Sequence, residues 1–252
     1  MNFYKSGNPT LSEKIFQKVG ISDQESSMTI KGTLFKFGFM FILLMASATY
    51  SWRAFSHGQS IYGLMIGGVI AGLILALIII FKPTTSPYLA PAYALAEGLF
   101  LGAISSVLNE QFQEKFPNLV LSAVGLTFGV VIAMIGLYSF RIIRPTQKLK
   151  SIIILATVGI GVFYLLSMLL GLFGITMPLI NSNSNLGIIF SLVVVVIAAL
   201  NLILDFERIE EFSKNRAPKF MEWYSAFSLM ITIVWLYIEI LRLLSKLASR
   251  RD

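Results

Sequence analysis

The feature that most constrains this chain is a series of long apolar segments separated by short polar connections. Each segment is about twenty residues long, the length that an α-helix needs to cross a hydrocarbon core of roughly 30 Å. Because lipid offers the backbone no hydrogen-bond partners, each segment has to be helical. The sequence therefore predicts an all-α membrane protein, a bundle of seven transmembrane helices. The predicted spans lie at 37–53, 61–81, 88–108, 119–140, 151–174, 186–205 and 223–244.

The polar residues at the two ends divide the 252-residue chain into three parts. We predict a polar N-terminal cytoplasmic tail at 1–36, the seven-helix transmembrane bundle at 37–244 and a short basic C-terminal tail at 245–252. Hydrophobic residues make up 56% of the chain and charged residues only 13%, so charges inside the bundle are few. Each of them needs a physical reason to be there.

Lysine and arginine are concentrated in alternate connections, which predicts the orientation of the bundle. With the N-terminus in the cytoplasm, the outer connections hold only Arg53 and Lys115. The basic residues after the last segment break this pattern, because seven crossings place Arg242 and Lys246 outside. The last segment therefore either crosses against the rule or is re-entrant. We favour a full crossing, because the first six helices dominate insertion.

Several classes of function lack the residues that they need. The chain has no cysteine and one histidine, His57, so a disulfide framework, a zinc site or a haem site is not expected. It also lacks a phosphate-binding glycine loop and a pair of intramembrane aspartates. No basic stretch with interleaved aromatic residues suggests nucleic-acid binding. We therefore expect neither enzyme activity nor a cofactor.

Glycine pairs spaced four residues apart predict close packing of helices, because they let two backbones approach each other in lipid. We favour packing within one chain, and a dimer interface is the alternative. The pairs are Gly63/Gly67, Gly68/Gly72, Gly98/Gly102 and Gly125/Gly129.

Charged side chains inside apolar segments cost roughly 3 kcal/mol or more each, so they are candidates for function. Glu97 lies near the middle of the third segment. Asp205 ends the sixth segment, and Asn201 lies one helical turn earlier on the same face. We predict that Glu97 and Asp205 bind a passing cation and that Asn201 supplies a neutral oxygen. The alternatives are a protonated Glu97 that bonds a neighbouring helix and an interfacial Asp205.

Two further glutamates belong to the last segment. Glu239 precedes Arg242 by three residues, so the two can pair on one helix face, and Glu239 is a weaker candidate for the ion path. Glu222 precedes Trp223 at the start of the segment, where aromatic residues mark the membrane interface. We predict an ion pair for Glu239 and an interfacial position for Glu222.

Five segments together resemble the Bax inhibitor-1 family and, within it, the bacterial YccA-like branch. They read SGNPTLSEKIF at 6–16, MTIKGTLFKFGFMFILLMASATYSW at 28–52, PYLAPAYALAEGLFLGAISSVLNEQF at 87–112, IAALNLILDFERIEE at 197–211 and APKFMEWYSAFSLMITIVWLYIEILRLL at 217–244. The resemblance implies seven helices with the last near the centre. It also implies a location in the bacterial inner membrane.

The resemblance further implies roles for particular residues. The calcium-leak members of the family gate with two facing aspartates, one on the sixth helix and one on the seventh. Asp205 fits the first position, whereas Thr232 stands at the second. Two close carboxylates can share a proton, and an aspartate facing threonine cannot do so in the same way. Glu97 matches the glutamate of the family's third helix and is our predicted substitute partner for Asp205.

Our leading hypothesis is a pH-sensitive cation leak channel, with calcium as the first candidate ion, since carboxylates are hard oxygen ligands. The resemblance also implies an alternative without transport, in which the protein regulates a membrane-bound ATP-dependent protease or another membrane partner through the tail at 1–36. A proton-coupled transporter is third. The expected partners are the lipid bilayer and a cation, with no nucleic acid.

Overall fold

The computed structural model of this protein describes residues 27–175, 177 and 183–250. Seven helices in this part of the chain are long and apolar enough to cross a membrane, which confirms the predicted fold class. A short 3-10 helix, Pro83–Thr85, leads into the third of them. The seven helices are α1 (Ile30–Ser56), α2 (Tyr62–Phe81), α3 (Ser86–Gln111), α4 (Leu119–Ser139), α5 (Gln147–Leu172), α6 (Asn185–Lys214) and α7 (Met221–Ser249).

Three helices extend further into polar sequence than predicted. α1 begins at Ile30, inside the predicted tail, because the Thr29 hydroxyl caps its first turn by accepting from the Gly32 N–H at 2.9 Å. α6 continues past 205 to Lys214, and α7 continues through Ser249, inside the predicted C-terminal tail. Hydropathy shows where apolar residues end, whereas a helix continues as far as its backbone bonds allow. The rest of the predicted tails, 1–26 and 251–252, lies outside the described residues.

α7 is one continuous helix of 29 residues. At 1.5 Å per residue, a helix of this length is about 43 Å long, enough for a full crossing. A larger share of α7 is buried than of any other helix. Both findings fit the predicted full crossing better than a re-entrant segment.

The helices pack as two compact units. The α1–α3 unit contains 27–111 and 207–231, and the α4–α5 unit contains the described residues of 112–206 and 232–250. α6 and α7 each contribute to both units, because each unit boundary falls within a helix.

Two glycine pairs bring helices of the α1–α3 unit into close contact. Gly98 and Gly102 of α3 face the backbone of α1, where a Cβ on Gly102 would lie 2.7 Å from the Ala48 Cα. Gly68 of α2 faces α3, where a Cβ would lie 2.7 Å from the Ala96 carbonyl oxygen. These contacts confirm the predicted close packing for Gly68/Gly72 and Gly98/Gly102.

The described residues show no such packing within the chain for the two other glycine pairs, for which the alternative of a dimer interface stays a prediction. A Cβ added at Gly63, Gly67, Gly125 or Gly129 would meet no described atom outside its own helix turn within 4 Å. These glycines lie on open helix faces of α2 and α4. Spacing alone therefore does not identify the glycines that pack against a second helix.

A buried ionic junction ties the start of α1 to the start of α7. The Glu222 side chain is fully buried, and both Lys36 and Lys219 form ion pairs with it, the second at 2.9 Å. The Thr29 N–H and hydroxyl both donate to its carboxylate at 2.9 Å. Gly32 leaves room for this carboxylate, since a Cβ there would overlap it. Glu222 is therefore enclosed by protein groups of α1 and α7, and its predicted position at the membrane interface stays a prediction.

The same junction also includes the start of α3. The Ser86 hydroxyl donates to the Phe220 carbonyl at 3.2 Å. The Met28 N–H donates to the Ala217 carbonyl at 2.7 Å. The first residues of α1, α3 and α7 thus lie at one end of the α1–α3 unit, as alternating crossings require of the first, third and seventh helices.

Replacing Glu222 with glutamine is expected to lower the free energy of unfolding by about 2 kcal/mol, because two lysines lose their counter-ion and buried donors lose a charged acceptor. The measurement is unfolding in detergent with increasing sodium dodecyl sulfate. Glu211→Gln is the matched control, since Glu211 pairs with Arg208 at 3.1 Å but is 41% exposed. That control is expected to change stability by less than about 0.5 kcal/mol. Equal losses in the two variants would show that the junction contributes no more than a surface pair.

Candidate functional site

Asp205 and Thr232 face each other within the α4–α5 unit. The Thr232 hydroxyl donates to the Asp205 carboxylate at 2.5 Å and so joins α7 to α6. Asp205 is 2% exposed and Thr232 is 4% exposed. The structure thus brings together the two positions at which the resemblance implies facing aspartates.

Asn201 lies one turn before Asp205 on α6 and is also buried. Its side-chain amide donates to the Thr157 hydroxyl and to the Ile197 carbonyl, both at 2.8 Å. The first of these bonds joins α6 to α5. Asn201 and Asp205 therefore place an amide and a carboxylate on one buried face of α6, each bonded to a threonine of a neighbouring helix.

Glu97 lies in the α1–α3 unit, half-buried between α2 and α3. The Tyr93 hydroxyl donates to it from one turn earlier on α3. Gly72 leaves space for the carboxylate on the α2 side, since a Cβ there would lie 2.9 Å from the Glu97 Oε1. Because Glu97 and Asp205 belong to different units, their predicted partnership stays a prediction.

Glu239 lies at the centre of a buried polar cluster on α7. Arg242 pairs with it at 3.2 Å, which confirms the predicted i, i+3 ion pair. The Tyr164 hydroxyl of α5 contacts both carboxylate oxygens, at 3.0 and 3.1 Å, and the Trp235 indole N–H donates at 3.3 Å. Tyr164 also accepts from Arg242 at 2.6 Å, and the guanidinium stacks over its ring.

Two partners of this cluster were not predicted from the sequence. Trp235 could have been found, since it precedes Glu239 by four residues and so shares its face of the helix. Tyr164 belongs to α5, and nothing in the spacing along the chain relates it to Glu239.

Lys246 was also not identified as a site residue. It was assigned to the basic tail, but it lies in the last turn of α7 and is only 5% exposed. Its ammonium donates to the Gly187 carbonyl at 2.9 Å and to the Ser191 hydroxyl at 2.8 Å, both on α6. The side chain therefore points into the α4–α5 unit rather than towards solvent.

No three histidine, aspartate or glutamate side chains lie close enough to hold a metal ion together, within residues 27–175, 177 and 183–250. The carboxylates of the candidate residues instead have hydroxyl, indole, guanidinium or ammonium groups around them.

Comparison with known proteins gives one match. The model of the family described as Bax inhibitor 1 like matches residues 8–249, nearly the whole chain. No curated protein and no solved structure gives a significant match. The family match and the seven membrane-length helices agree with each other and with the resemblance seen in the sequence. The chain is therefore an integral membrane protein that belongs to the Bax inhibitor 1 like family.

Proposed function

We propose that this protein is a pH-sensitive cation leak channel, with calcium as the first candidate ion, and that Asp205 and Thr232 form its gating site. The observation that carries this proposal is the buried hydrogen bond between the Asp205 carboxylate on α6 and the Thr232 hydroxyl on α7. An ionisable group inside a membrane helix is costly, and such groups mark ion and proton pathways.

The chemistry around Asp205 suits a hard cation. Calcium prefers oxygen ligands, and carboxylate, hydroxyl and amide oxygens all occur on this face of α6 and the helices beside it. A cation that binds here replaces the hydrogen bond between the two helices with bonds to itself. Protons compete with the cation for the same carboxylate oxygens, which makes the leak sensitive to pH.

Glu97 serves in this proposal as a second carboxylate on the ion path. Tyr93 and Gly72 support this role, since one donates to the carboxylate and the other leaves space for it. We further propose that the protein lies in the bacterial inner membrane, as its resemblance to the YccA-like branch implies. The distribution of lysine and arginine supports an N-terminus in the cytoplasm.

Asp205→Asn is expected to reduce calcium flux at least about tenfold, because an attraction of about 4 kcal/mol acts between unit charges a few Å apart at an effective dielectric constant of 20. The measurement is calcium uptake into proteoliposomes that contain the purified protein, between pH 5 and 8. Glu97→Gln is measured in parallel and is also expected to reduce the flux.

Glu210→Gln is the matched control on the same helix, because its carboxylate pairs with the exposed Lys214 at 2.5 Å. It is expected to conduct like the wild type. Flux that is unchanged in both Asp205→Asn and Glu97→Gln would refute the channel assignment, and so would the absence of flux at every pH from folded wild-type protein.

A further inference from the structure

One face of α7 is polar from near its middle to its last turn. The positions follow the alternation of three and four residues that keeps side chains on one face of a helix. The first and last are fourteen positions apart, or about 21 Å along the axis. The face is formed by Thr232, Trp235, Glu239, Arg242 and Lys246.

This polar face is turned towards helices of its own unit. Thr232 bonds Asp205 of α6, Glu239 bonds Tyr164 of α5, and Lys246 bonds α6. Three layers of polar contacts therefore follow one another along α7, and the gating site proposed above is the first of them. Along this face Glu239 therefore follows Thr232, and Lys246 comes last.

The contacts of Lys246 resemble the coordination of a cation. Its ammonium is held by a backbone carbonyl and a hydroxyl, neutral oxygens of the kind that replace the hydration shell of a permeating ion. A lysine near a helix end in a membrane ordinarily extends to the interface. Lys246 instead points inwards, although its neighbour Arg242 has a side chain that is 32% exposed.

The dipole of α6 also disfavours an ammonium at this position. Gly187 and Ser191 lie in the first two turns of α6, which begins at Asn185. The N-terminal end of a helix carries a positive partial charge, and so it repels a cation. Helix-end electrostatics on α6 therefore do not explain why an ammonium lies there. Among the charged groups of α7, the Arg242 guanidinium repels the ammonium and the Glu239 carboxylate attracts it.

We propose that Lys246 is a tethered cation that closes the ion path: its ammonium occupies a site for an inorganic cation formed by the Gly187 carbonyl and the Ser191 hydroxyl, within electrostatic reach of Glu239. The proposal rests on the proposed channel function for its meaning in transport. The site itself can be tested without transport. When the ammonium is removed, a free monovalent or divalent cation takes its place.

Lys246→Met keeps the length of the side chain and removes the charge. It is expected to raise cation flux about tenfold, because loss of a positive charge from a narrow path raises the local concentration of cations there. The measurement is uptake of Tl⁺ and of Ca²⁺ into proteoliposomes. Lys214→Met is the control, since it removes the same charge from a side chain that is 70% exposed. Lys246→Gln is measured as well, in case the methionine variant does not fold.

A binding measurement separates this inference from the channel hypothesis. Equilibrium binding of radioactive Tl⁺ to the purified protein in detergent measures the site directly, and Lys214→Met is again the control. Lys246→Met is expected to bind Tl⁺ about tenfold more tightly than the wild type does, because the ammonium no longer occupies the site. Adding Glu239→Gln to the Lys246 variant is expected to remove that gain.

The outcomes are distinct. A gain in Tl⁺ binding without flux in any variant would support the cation site and refute the channel. Flux that depends on Asp205 but is unchanged by Lys246→Met and Lys246→Gln, with no gain in Tl⁺ binding, would overturn the tethered-cation proposal and leave the channel in place.

Discussion

Replacing Gly102 with alanine is expected to lower the free energy of unfolding by about 3 kcal/mol, because the added methyl group would overlap the backbone of α1. A Cβ at this position lies 2.7 Å from the Cα and 2.8 Å from the carbonyl carbon of Ala48, and its carbonyl oxygen is closer still. Backbone atoms cannot rotate away as a side chain can. α1 and α3 must therefore separate along their contact. The measurement is unfolding of the purified protein in detergent with sodium dodecyl sulfate.

Gly125→Ala is the matched control for this substitution. It makes the same change in α4, where no described atom outside the local helix turn lies within 4 Å of the added methyl group. Alanine is the better helix former by about 1 kcal/mol, so this variant is expected to be at least as stable as the wild type. If Gly102→Ala and Gly125→Ala were equally stable, the close contact between α1 and α3 would not exist in the protein.

Thr232→Asp is expected to bind calcium at least about tenfold more tightly than the wild type at pH 8, because it adds a charged oxygen ligand beside Asp205. The advantage is expected to disappear as the pH falls to 5. Two carboxyl groups at hydrogen-bond distance titrate as a coupled pair, and protons compete with calcium for their oxygens. Calcium binding to the protein in detergent, followed by equilibrium binding of radioactive calcium, measures both effects.

Thr232→Asn is the control, since asparagine has the size of aspartate and a neutral oxygen. It is expected to bind calcium no more tightly than the wild type at any pH between 5 and 8. Equal affinities for the two variants across this range would mean that position 232 does not share a cation with Asp205. This result would remove the main support for the gating site.

The seven helices were predictable because each apolar segment must be helical in lipid, whatever its neighbours are. Their ends were less predictable. The hydroxyl of Thr29 starts α1 seven residues before the apolar run, and α6 continues through Glu207 and Lys214 after its apolar run has ended. These extensions depend on caps and on charged pairs rather than on hydropathy.

Some residues of the polar site could likewise be predicted from the sequence, and others could not. Asp205, Asn201 and Glu239 were predictable because a polar residue in an apolar run is visible along the chain. Tyr164 was not, since its contact with Glu239 joins positions 75 residues apart on two helices. Lys246 had a signal that was missed: it follows Thr232 and Glu239 at intervals of seven, so all three share a face of α7.

The junction at Glu222 has a consequence for how the protein is assembled. Thr29 and Glu222 are 193 positions apart, so nearly the whole chain must be synthesised before they can bond. Until α7 is in place, Lys36 lacks the carboxylate that pairs with it in the folded protein, and α1 lacks the partner of its capping threonine. α1 is thus held in its final position by α7, which is synthesised after the other six helices. A chain truncated before α7 would therefore leave Thr29 and Lys36 without the carboxylate that both bind in the folded protein.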